Sequence, residues 1–348
     1  MKKKEIYVVV LAAGKGQRMA SLNETYSKVA YPILGKPLVN YVLDAAKPLK
    51  AKETIVVVGF GGKMTEKCVK KEAKVVWQKK VIGTGDALVK GTASIKRKNG
   101  DVIVLCGDTP LLTTDTILKI YNKHVKNDNR LTICSTVLAN PEGYGRVIRE
   151  KPSYRVKEVR PYAELSEDEN REINEVNSGI YIIDNQLLQQ YLPKLSKENK
   201  KNEYYLSDLV GMFFDDGYKV DAFVLEDAAD IYNINDRVQL AFAAKVLRKR
   251  INHKLMYTGV SIEDPDTTYI SPDVVIGKDT VIRPNTHILG ECIIGNANEI
   301  GPNTYLEHVY VGDHNVISSS VVTDYKIGDF EVVEPFSRLK GGRYNADN

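Results

Sequence analysis

The sequence predicts an α/β domain with a mainly parallel sheet, followed by a parallel β-helix. In the first two-thirds of the chain, short runs rich in Val and Ile alternate with helical patterns, which is the βαβ rhythm of a doubly wound fold. In the last third, aliphatic residues recur every six positions, which is the hexapeptide signature of a parallel β-helix. A length of 348 residues allows two domains, each large enough to bury its own core.

Five apolar runs in the first part are short and continuous, as expected for strands that are buried on both faces. They cover residues 6–13, 54–60, 75–78, 102–106 and 131–138. Residues 36–49 follow helical spacing, with Pro37 at the expected start of the helix and Pro48 at its end. Ligands of such sheets bind beyond the carboxyl ends of the strands, so the motifs that follow these strands are expected to meet in one crevice.

The sixfold repeat predicts aliphatic residues stacked in one interior column, because three hexapeptides make one turn of such a coil. Its register slips by one residue at Val311 and then continues to Ile317. Residues 234–255 are rich in Ala, Leu, Lys and Arg and are expected to form a helix that links the two domains. The expected boundaries are therefore 1–233 for the first domain and 256–348 for the coil. The seven residues in one register are Ile270, Ile276, Ile282, Ile288, Ile294, Ile300 and Leu306.

The composition argues against several classes of partner. A net charge of +4 from 49 basic and 45 acidic residues is nearly balanced, whereas nucleic-acid binding proteins usually carry a basic face. No apolar stretch approaches the roughly 20 residues that span a bilayer, and the start of the chain is predicted to be a strand rather than a signal peptide. The four cysteines are scattered without CxxC spacing, which argues against a zinc site or a disulfide framework. We expect a protein of the reducing cytoplasm with no nucleic acid and no membrane partner.

The most informative motif is VVVLAAGKGQRM, in which a predicted strand runs into a loop with two glycines and two cations. Gly14 and Gly16 let backbone N–H groups approach an anion, and Lys15 and Arg18 add positive charge on the same turn. Arg18 is the better candidate for planar recognition of phosphate oxygens. The loop matches neither GxxxxGK followed by Ser or Thr nor GxGxxG, and from these residues alone an ordinary turn with solvated cations is an alternative.

A carboxylate and an amide are candidates for a magnesium site. Asp108 follows a buried strand in VLCGDTPLL, where an α/β enzyme would place a Mg²⁺ ligand, and Asn235 in NINDR could complete the shell with its carbonyl oxygen. The alternatives are structural. Asp108 could cap the next turn, and Asn235 could be the N-cap of the helix that follows it.

A second group of candidates could bind a base and its phosphates. Gln78 follows the strand KVVW, and its amide can both donate and accept, which suits the edge of a pyrimidine. The turn Gly83-Thr84-Gly85 brings backbone close to a flat ring, and Lys28 could neutralise a phosphate. The alternatives are a surface glutamine, a simple helix-start loop and a solvated lysine.

Two further glycine turns lie beside predicted strands. They are the sequence GYGR, which includes Gly145, and the sequence NSG, which begins at Asn177. From the residues alone, both are also compatible with ordinary hairpin turns.

These motifs together resemble the bifunctional N-acetylglucosamine-1-phosphate uridyltransferase/glucosamine-1-phosphate acetyltransferase family. The match runs in order along nearly the whole chain through LAAGKGQRM, SKVAYPILGKPLV, VVWQ, GTGDA, GDTPLL, PEGYGRV, NSGIY, EYYLSDLV, NINDRVQL and PFSRLKGG. The resemblance implies a Rossmann-like mixed, mainly parallel sheet of the nucleotide-diphospho-sugar transferase type, followed by a left-handed parallel β-helix. It also implies a homotrimer formed through that coil.

The resemblance implies that UDP-N-acetylglucosamine and pyrophosphate are formed from UTP and N-acetylglucosamine-1-phosphate with Mg²⁺. A sister enzyme for another sugar-1-phosphate and a catalytically silent nucleotide-binding homologue are the alternatives. By resemblance, Arg18 and Lys28 act on the phosphates, and Asp108 and Asn235 ligate Mg²⁺. The residues implied to hold the uridine are Leu11, Ala12, Ala13, Gly14, Gln78, Gly83 and Thr84.

The sequence departs from the family pattern on the sugar side. Gly145 and Asn177 are implied to contact the amino sugar. The family usually shows V-E-x-K-D-A after the GYGR strand, and the glutamate of that motif also contacts the sugar. Arg160 stands at the corresponding position here, and Glu158 or Glu164 could take over its role.

A second departure concerns the coil. Family members continue further along the β-helix, which carries the acetyl-CoA site and its catalytic histidine. The histidines of the last third have no matching sequence context, so we expect a uridyltransferase with a truncated coil and no acetyltransferase activity. These histidines are His253, His287, His308 and His314.

Overall fold

The structure is a computed structural model that describes residues 4–19, 26–95 and 99–342. The chain falls into two units, the first comprising Met1–Tyr31 and Pro37–Gln239 and the second comprising Pro32–Lys36 and Leu240–Asn348. The short segment in front of the first helix is thus grouped with the coil. The domain boundaries expected from the sequence stay a prediction.

The first unit is built on a mixed sheet. In chain order, the strands that precede the coil are β1 (Ile6–Ala12), β2 (Pro32–Ile33), β3 (Lys36–Pro37), β4 (Glu53–Val58), β5 (Lys74–Trp77), β6 (Asp101–Cys106), β7 (Leu131–Val137), β8 (Arg146–Arg149), β9 (Val156–Arg160), β10 (Glu175–Asp184) and β11 (Val220–Leu225). Strands β2 and β3 form a separate two-stranded ladder, and the other strands form the sheet. The order across the sheet is β11-β7-β10-β6-β1-β4-β5, while β8 pairs with β10 and β9 with β8. Strands β6, β1, β4 and β5 are parallel, and β10 runs antiparallel to both of its neighbours, β6 and β7. This confirms the predicted fold class.

Each of the five predicted strands is present, with ends that differ by one or two residues. The predicted helix at 36–49 is shorter than expected, because helix α1 (Leu38–Ala46) is followed by a separate 3₁₀ turn that contains Pro48. Pro37 is the N-cap, with φ of −60° and ψ of 147°. It therefore precedes the helix in an extended conformation rather than starting it.

Apolar side chains lie on both faces of the central strands, which explains why the sequences of these strands are continuous apolar runs. Val9 and Ile55 belong to the core on one face, and Val8 and Val56 to the core on the other, and all four are fully buried. Polar motifs are consequently found where the strands end. The other helices of the described residues are α2 (Gly62–Val69), α3 (Thr84–Thr92), α4 (Thr114–Lys126), α5 (Glu167–Glu172), α6 (Asn185–Tyr191), α7 (Asp208–Asp215) and α8 (Arg237–Tyr257).

The second unit contains a coil of short parallel strands, which confirms the predicted hexapeptide β-helix. Ile282 pairs with Ile300, and Ile288 with Leu306, so residues of successive turns stack as the sixfold repeat requires. After the predicted slip the spacing shortens, and Ile300 pairs with Ile317. All seven residues of the predicted column are buried. The strands are β12 (Ser261–Ile262), β13 (Tyr269–Ile270), β14 (Val275–Ile276), β15 (Val281–Ile282), β16 (His287–Leu289), β17 (Ile293–Ile294), β18 (Glu299–Ile300), β19 (Tyr305–Val311), β20 (Val316–Ile317), β21 (Val321–Ile327), β22 (Val332–Val333) and β23 (Arg338–Lys340).

Helix α8 begins later than the predicted range of 234–255. Asp236 Oδ1 accepts a hydrogen bond from Gln239 N at 2.8 Å, which is the geometry of an N-cap, and the helix starts directly after Asp236. From Leu240 onwards the helix is grouped with the coil. There, Asn252 Nδ2 donates to two backbone carbonyl oxygens of the segment that leads into β13.

The described residues contain no helix that is long and apolar enough to cross a membrane. All four cysteines are free, and two of them, Cys134 and Cys292, are buried. Cys292 lies within the core of the coil, where its Sγ accepts a hydrogen bond from Val309 N at 3.4 Å.

Candidate active site

A cavity of about 600 Å³ opens in the first unit beyond the carboxyl ends of β1, β5 and β6. Arg18 and Asp108, which follow different strands, line this same cavity. The crevice expected from the positions of the motifs is therefore present, and the candidate residues for nucleotide, phosphate and metal binding lie in it. Those that line it are Leu11, Ala12, Ala13, Gly14, Arg18, Lys28, Gln78, Gly83, Thr84, Asp108 and Asn235.

The glycine loop forms one wall of the cavity. Gly16 has a positive φ of +61°, and a Cβ at this position would lie 2.6 Å from Lys28 Cβ, so the loop requires glycine here. A 3₁₀ turn at Gln17–Met19 follows, in which Met19 is buried and Arg18 is exposed. The motif thus forms a strand, the glycine loop and one short 3₁₀ turn. The 3₁₀ turn presents Arg18 to the cavity.

The ammonium group of Lys28 lies between the two candidate metal ligands. Its Nζ is 2.5 Å from Asp108 Oδ2 and 3.1 Å from Asn235 Oδ1. Asn233 Nδ2 donates to the other carboxylate oxygen of Asp108 at 3.1 Å. The side chains of Lys28 and Asp108 are only 12% and 17% exposed. A carboxylate and an amide oxygen therefore hold a cation at a position that is largely withdrawn from water.

The structure excludes one of the structural alternatives for Asp108 and Asn235, a role as helix cap, and their role as metal ligands stays a prediction. Thr113 caps helix α4 through its side chain, and Asp236 caps α8, so neither candidate is a helix cap. Ile234 N donates to the backbone oxygen of Asp108 at 2.9 Å, which holds the two segments side by side. Both residues line the cavity, where Lys28 contacts their side-chain oxygens.

The donor set suits a hard cation. Asp108 offers carboxylate oxygens and Asn235 an amide oxygen, and Mg²⁺ prefers oxygen ligands while keeping positions for water and phosphate. The ammonium group of Lys28 already lies between these oxygens, so together they can hold a positive charge. In the part of the chain that the structure describes, no three His, Cys, Asp or Glu side chains are grouped to hold a metal ion. A metal bound here would therefore take further ligands from substrate or water.

Gln78 is part of the inner wall of the cavity rather than of the surface. The residue is only 2% exposed, so the alternative of a surface glutamine is wrong. The amide nitrogen donates to Asp86 Oδ2 at 2.9 Å and to the backbone oxygen of Gly83 at 3.1 Å. These two hydrogen bonds fix the plane of the amide group before any ligand binds.

The turn that follows Gln78 in the chain is tied to a distant segment. Gly83 has a φ of +113°, and a Cβ there would collide with the backbone of Tyr204, so glycine is required. Gly85 N donates to the backbone oxygen of Tyr204 at 2.8 Å, and Leu206 N donates to Thr84 Oγ1 at 3.0 Å. Helix α3 starts directly at this turn.

The two candidates for the amino sugar lie next to each other but are not among the residues that line this cavity. Asn177 N donates to the backbone oxygen of Gly145 at 3.0 Å. The side-chain nitrogen of Asn177 donates to Tyr181 Oη at 2.7 Å. The structure therefore brings Gly145 and Asn177 together, and their contact with a sugar stays a prediction.

Arg160, at the position where the resembled family has a glutamate, is held by two carboxylates. It forms ion pairs with Glu158 and Glu169. The two alternatives from the sequence, Glu158 and Glu164, line a second cavity of about 350 Å³ together with Asp208. Burial, with the neighbouring charges of Glu164 and Glu158, raises the pKa of Asp208 to about 6. The sugar-side departure thus coincides with an acidic cavity.

Three residues of the first cavity and its walls have no role in the sequence predictions. Asn233 holds Asp108, Asp86 holds Gln78, and Glu203 lines the cavity. All three stand in motifs that the sequence singles out, namely NINDR, GTGDA and EYYLSDLV. The motifs give their position, but not which of their side chains turns inward.

Comparison with known proteins matches both parts of the chain. A family model described as MobA-like NTP transferase domain matches residues 8–159, and one described as bacterial transferase hexapeptide (six repeats) matches residues 273–308. The chain is 41% identical over 342 residues to the bifunctional protein GlmU of Caldanaerobacter subterraneus, which is 97% of this chain and 73% of that protein. It is 40% identical over 336 residues to bifunctional protein GlmU of an Exiguobacterium species, again 97% and 73%. It is 37% identical over 334 residues to the bifunctional protein GlmU of Geobacillus thermodenitrificans, which is 96% of this chain and 72% of that protein.

Proposed function

Because this chain belongs to the GlmU family and carries an NTP transferase domain, we propose that it joins UTP to N-acetylglucosamine-1-phosphate with the help of Mg²⁺. The chain is a nucleotidyltransferase of the UDP-N-acetylglucosamine diphosphorylase type, acting on a nucleotide and a sugar phosphate, and its product is a cell-wall precursor. The observation that carries the proposal is the single cavity shared by Arg18, Lys28, Asp108 and Asn235.

The proposed reaction is a substitution at phosphorus. An oxygen of the sugar phosphate attacks the α-phosphorus of UTP and forms a P–O bond, while the bond from that phosphorus to the bridging oxygen breaks and pyrophosphate leaves. The attacking phosphate has a second pKa of about 6 and is largely dianionic at pH 7, so no general base is required. The barrier is the repulsion between anions and their alignment. A cavity lined with cations and backbone amides, and without histidine, suits these demands.

The charged residues of the cavity have separate proposed roles. Asp108 and Asn235 would hold Mg²⁺, which supplies positive charge against the α-phosphate. Lys28 would leave these two oxygens and offset the charge of the incoming phosphate. Arg18, exposed at the cavity, would stabilise the charge that builds on the leaving pyrophosphate.

We assign the uridine to the opposite wall of the same cavity. Gln78 supports this assignment because two hydrogen bonds from its amide nitrogen already fix the amide plane, which leaves the amide oxygen to accept from the ring N–H of the pyrimidine. The remaining residues of this wall are Leu11, Ala12, Ala13, Gly14, Gly83 and Thr84.

We place the amino sugar against Gly145 and Asn177, which the backbone hydrogen bond between them joins into one surface. A second candidate is transfer to a different sugar-1-phosphate. It is favoured by Arg160, whose pairing with Glu158 and Glu169 puts a cation where the resembled family has a glutamate.

We propose that this chain does not transfer acetyl groups. His287 stacks on Tyr269 and His314 on Phe330, with ring centroids 4.7 and 4.9 Å apart. His308 Nδ1 accepts a hydrogen bond from a backbone N–H. These contacts support structural roles for the histidines of the coil. Release of thiol from acetyl-CoA in the presence of glucosamine-1-phosphate would contradict this proposal.

We further propose a homotrimer formed through the coil and a cytoplasmic location. The coil leaves apolar side chains on its outside, including Val275, Ile293 and Val332, and such side chains favour burial against further copies of the chain. Four free thiols suit a reducing compartment. Size-exclusion chromatography with light scattering tests the trimer directly.

The deciding experiment is an assay of pyrophosphate release by the purified chain with UTP, Mg²⁺ and N-acetylglucosamine-1-phosphate. Parallel reactions replace the sugar by glucose-1-phosphate or glucosamine-1-phosphate, and UTP by dTTP. We expect the fastest release with UTP and N-acetylglucosamine-1-phosphate. Faster release with another sugar phosphate would overturn the assignment of the sugar. Binding of UTP without release in any reaction would identify a silent homologue and overturn the enzymatic proposal.

A further inference from the structure

Arg146, the first residue of β8, is completely buried and has no carboxylate partner among the described residues. Its Nη1 donates to the backbone oxygens of Pro141 and Tyr144 at 2.8 and 2.5 Å, and its Nη2 donates to Asn170 Oδ1 at 2.7 Å. Its Nε is buried without a hydrogen-bond partner, and burial lowers the pKa of Arg146 below its ordinary value. A buried charge with only neutral partners is costly, and such groups can serve to specify one conformation.

The three oxygens that accept from Arg146 connect two segments. Pro141 and Tyr144 belong to the turn that precedes β8, whereas Asn170 belongs to helix α5. Helix α5 is in turn anchored by a capping box at its start and by the ion pair between Glu169 and Arg160 at the end of β9. The guanidinium therefore joins the turn to a helix whose own position is set independently.

The turn held by Arg146 presents Gly145 to Asn177, whose backbone N–H donates to the Gly145 oxygen at 3.0 Å. Neither Gly145 nor Asn177 lines the cavity of the phosphate-binding loop. The position of this pair consequently depends on the contacts of the turn. Within the turn, Tyr144 N donates to the backbone oxygen of Pro141 at 3.2 Å, and Arg146 adds hydrogen bonds to the backbone oxygens of both residues.

We propose that Arg146 is a positioning residue for the sugar, because it holds the turn that places Gly145 next to Asn177 and links this turn to helix α5. The inference rests on the proposed function, since it takes the amino sugar to lie against these two residues. Helix α5 begins within residues 156–168, where the sequence departs from the family pattern. Changes in that segment should therefore alter the affinity for the sugar phosphate and leave nucleotide binding intact.

The test uses Asn170→Ala, which removes one hydrogen bond to the guanidinium at an exposed position of helix α5. We expect the KM for N-acetylglucosamine-1-phosphate to rise about tenfold, as for the loss of a charged hydrogen bond, with the KM for UTP and kcat within about twofold. Arg146→Lys keeps the charge but not the three-way hydrogen bonding, so the same KM should rise further. Arg149→Lys is the matched control, because Arg149 lies at the other end of β8 and pairs with Glu175.

The outcomes separate positioning from a general structural role. Equal rises in both Michaelis constants, or an unchanged KM for the sugar phosphate in Asn170→Ala, would overturn the proposal. Titration calorimetry with UDP-N-acetylglucosamine and with UTP gives a second readout, and the ratio of the two dissociation constants should shift about tenfold in Asn170→Ala. If the wild-type chain released no pyrophosphate, the proposed function would fail. The positioning role would then be decided by this ratio alone, and an unchanged ratio would overturn it.

Discussion

Lys28 Nζ lies 2.5 Å from Asp108 Oδ2, so the protein carries its own cation at the oxygens proposed to hold Mg²⁺. The same nitrogen donates to Asn235 Oδ1 at 3.1 Å, and both charged side chains are largely withdrawn from solvent. Removing one partner of such a pair leaves the other charge without compensation. A metal ion would need the same two oxygens as the ammonium group of Lys28, so the metal and the lysine should exclude each other. Metal binding should then release Lys28 toward a substrate phosphate.

Lys28→Met should bind a divalent cation more tightly than the wild-type chain in the absence of nucleotide. Methionine keeps much of the side-chain volume but leaves the Asp108 carboxylate without its counter-charge. We expect the affinity for Mn²⁺ to rise about tenfold, or about 1.4 kcal/mol, measured by electron paramagnetic resonance of the unbound ion. In the pyrophosphate-release assay, the same variant should have a lower kcat, because the incoming phosphate loses its cation.

Lys74→Met is the matched control for this experiment. Lys74 pairs with Glu53 at the exposed edge of the sheet, so its removal should leave the Mn²⁺ affinity unchanged. A Lys28→Met protein that bound Mn²⁺ no better than the wild type would show that the lysine and the metal do not share a position.

Arg18→Ala should lower kcat by about 10²–10³ and change the KM for UTP much less, because the negative charge on pyrophosphate builds up only as the bond breaks. The turn that carries Arg18 should keep its shape, since the backbone oxygen of Met19 accepts a hydrogen bond from Arg237 Nε at 3.1 Å. Steady-state kinetics of pyrophosphate release measure both constants. Lys63→Ala, which removes an exposed cation from helix α2, is the control. Wild-type values of kcat and KM in Arg18→Ala would refute the assigned role.

The phosphate side of the site could be predicted from the sequence because it depends on local patterns. Gly16 and Asp108 each follow a continuous apolar run, and the carboxyl ends of neighbouring parallel strands meet at one edge of a sheet. The sugar side could not be predicted in the same way. The hydrogen bond from Asn177 to Gly145 joins β10 to the turn before β8, and the contact of Asn170 with the buried guanidinium depends on how α5 packs.

The direction in which a side chain points is the second feature that the sequence patterns could not predict. Asn233 and Asn235 stand two positions apart in NINDR and both have the chemistry of a helix cap. In the structure, Asn233 donates to Asp108, Asn235 accepts from Lys28, and Asp236 takes the cap. Backbone geometry assigns these three roles, and the order of residue types alone does not distinguish them.

Asp208→Asn should stabilise the chain at neutral pH. Burial, with the charges of Glu164 and Glu158, raises the pKa of Asp208 from its ordinary value of 3.8 to about 6. The folded chain therefore holds this proton more tightly than the unfolded chain, and the wild type loses stability as the pH rises from about 4 to about 6. Asparagine does not titrate. The unfolding temperature of the variant relative to wild type should thus increase across this interval and level off above it.

Thermal unfolding followed by circular dichroism, at a series of pH values between about 4 and 8, measures this difference. Asp215→Asn is the matched control, because it removes an exposed carboxylate from the same helix, α7. A difference between Asp208→Asn and wild type that stays constant over the series would contradict a proton held by the buried carboxyl group.

Ile300→Ala should destabilise the coil far more than Ile293→Ala, although both residues lie on the β-helix. Ile300 is 0% exposed and stacks between Ile282 and Ile317 in the interior column, whereas Ile293 is 41% exposed. Truncating a buried isoleucine costs about 2–5 kcal/mol, which should lower the melting temperature of the coil by about 8 °C or more. Scanning calorimetry of the two variants compares the shifts directly. Equal shifts would contradict an interior column, because the sixfold pattern would then have no energetic counterpart in the folded chain.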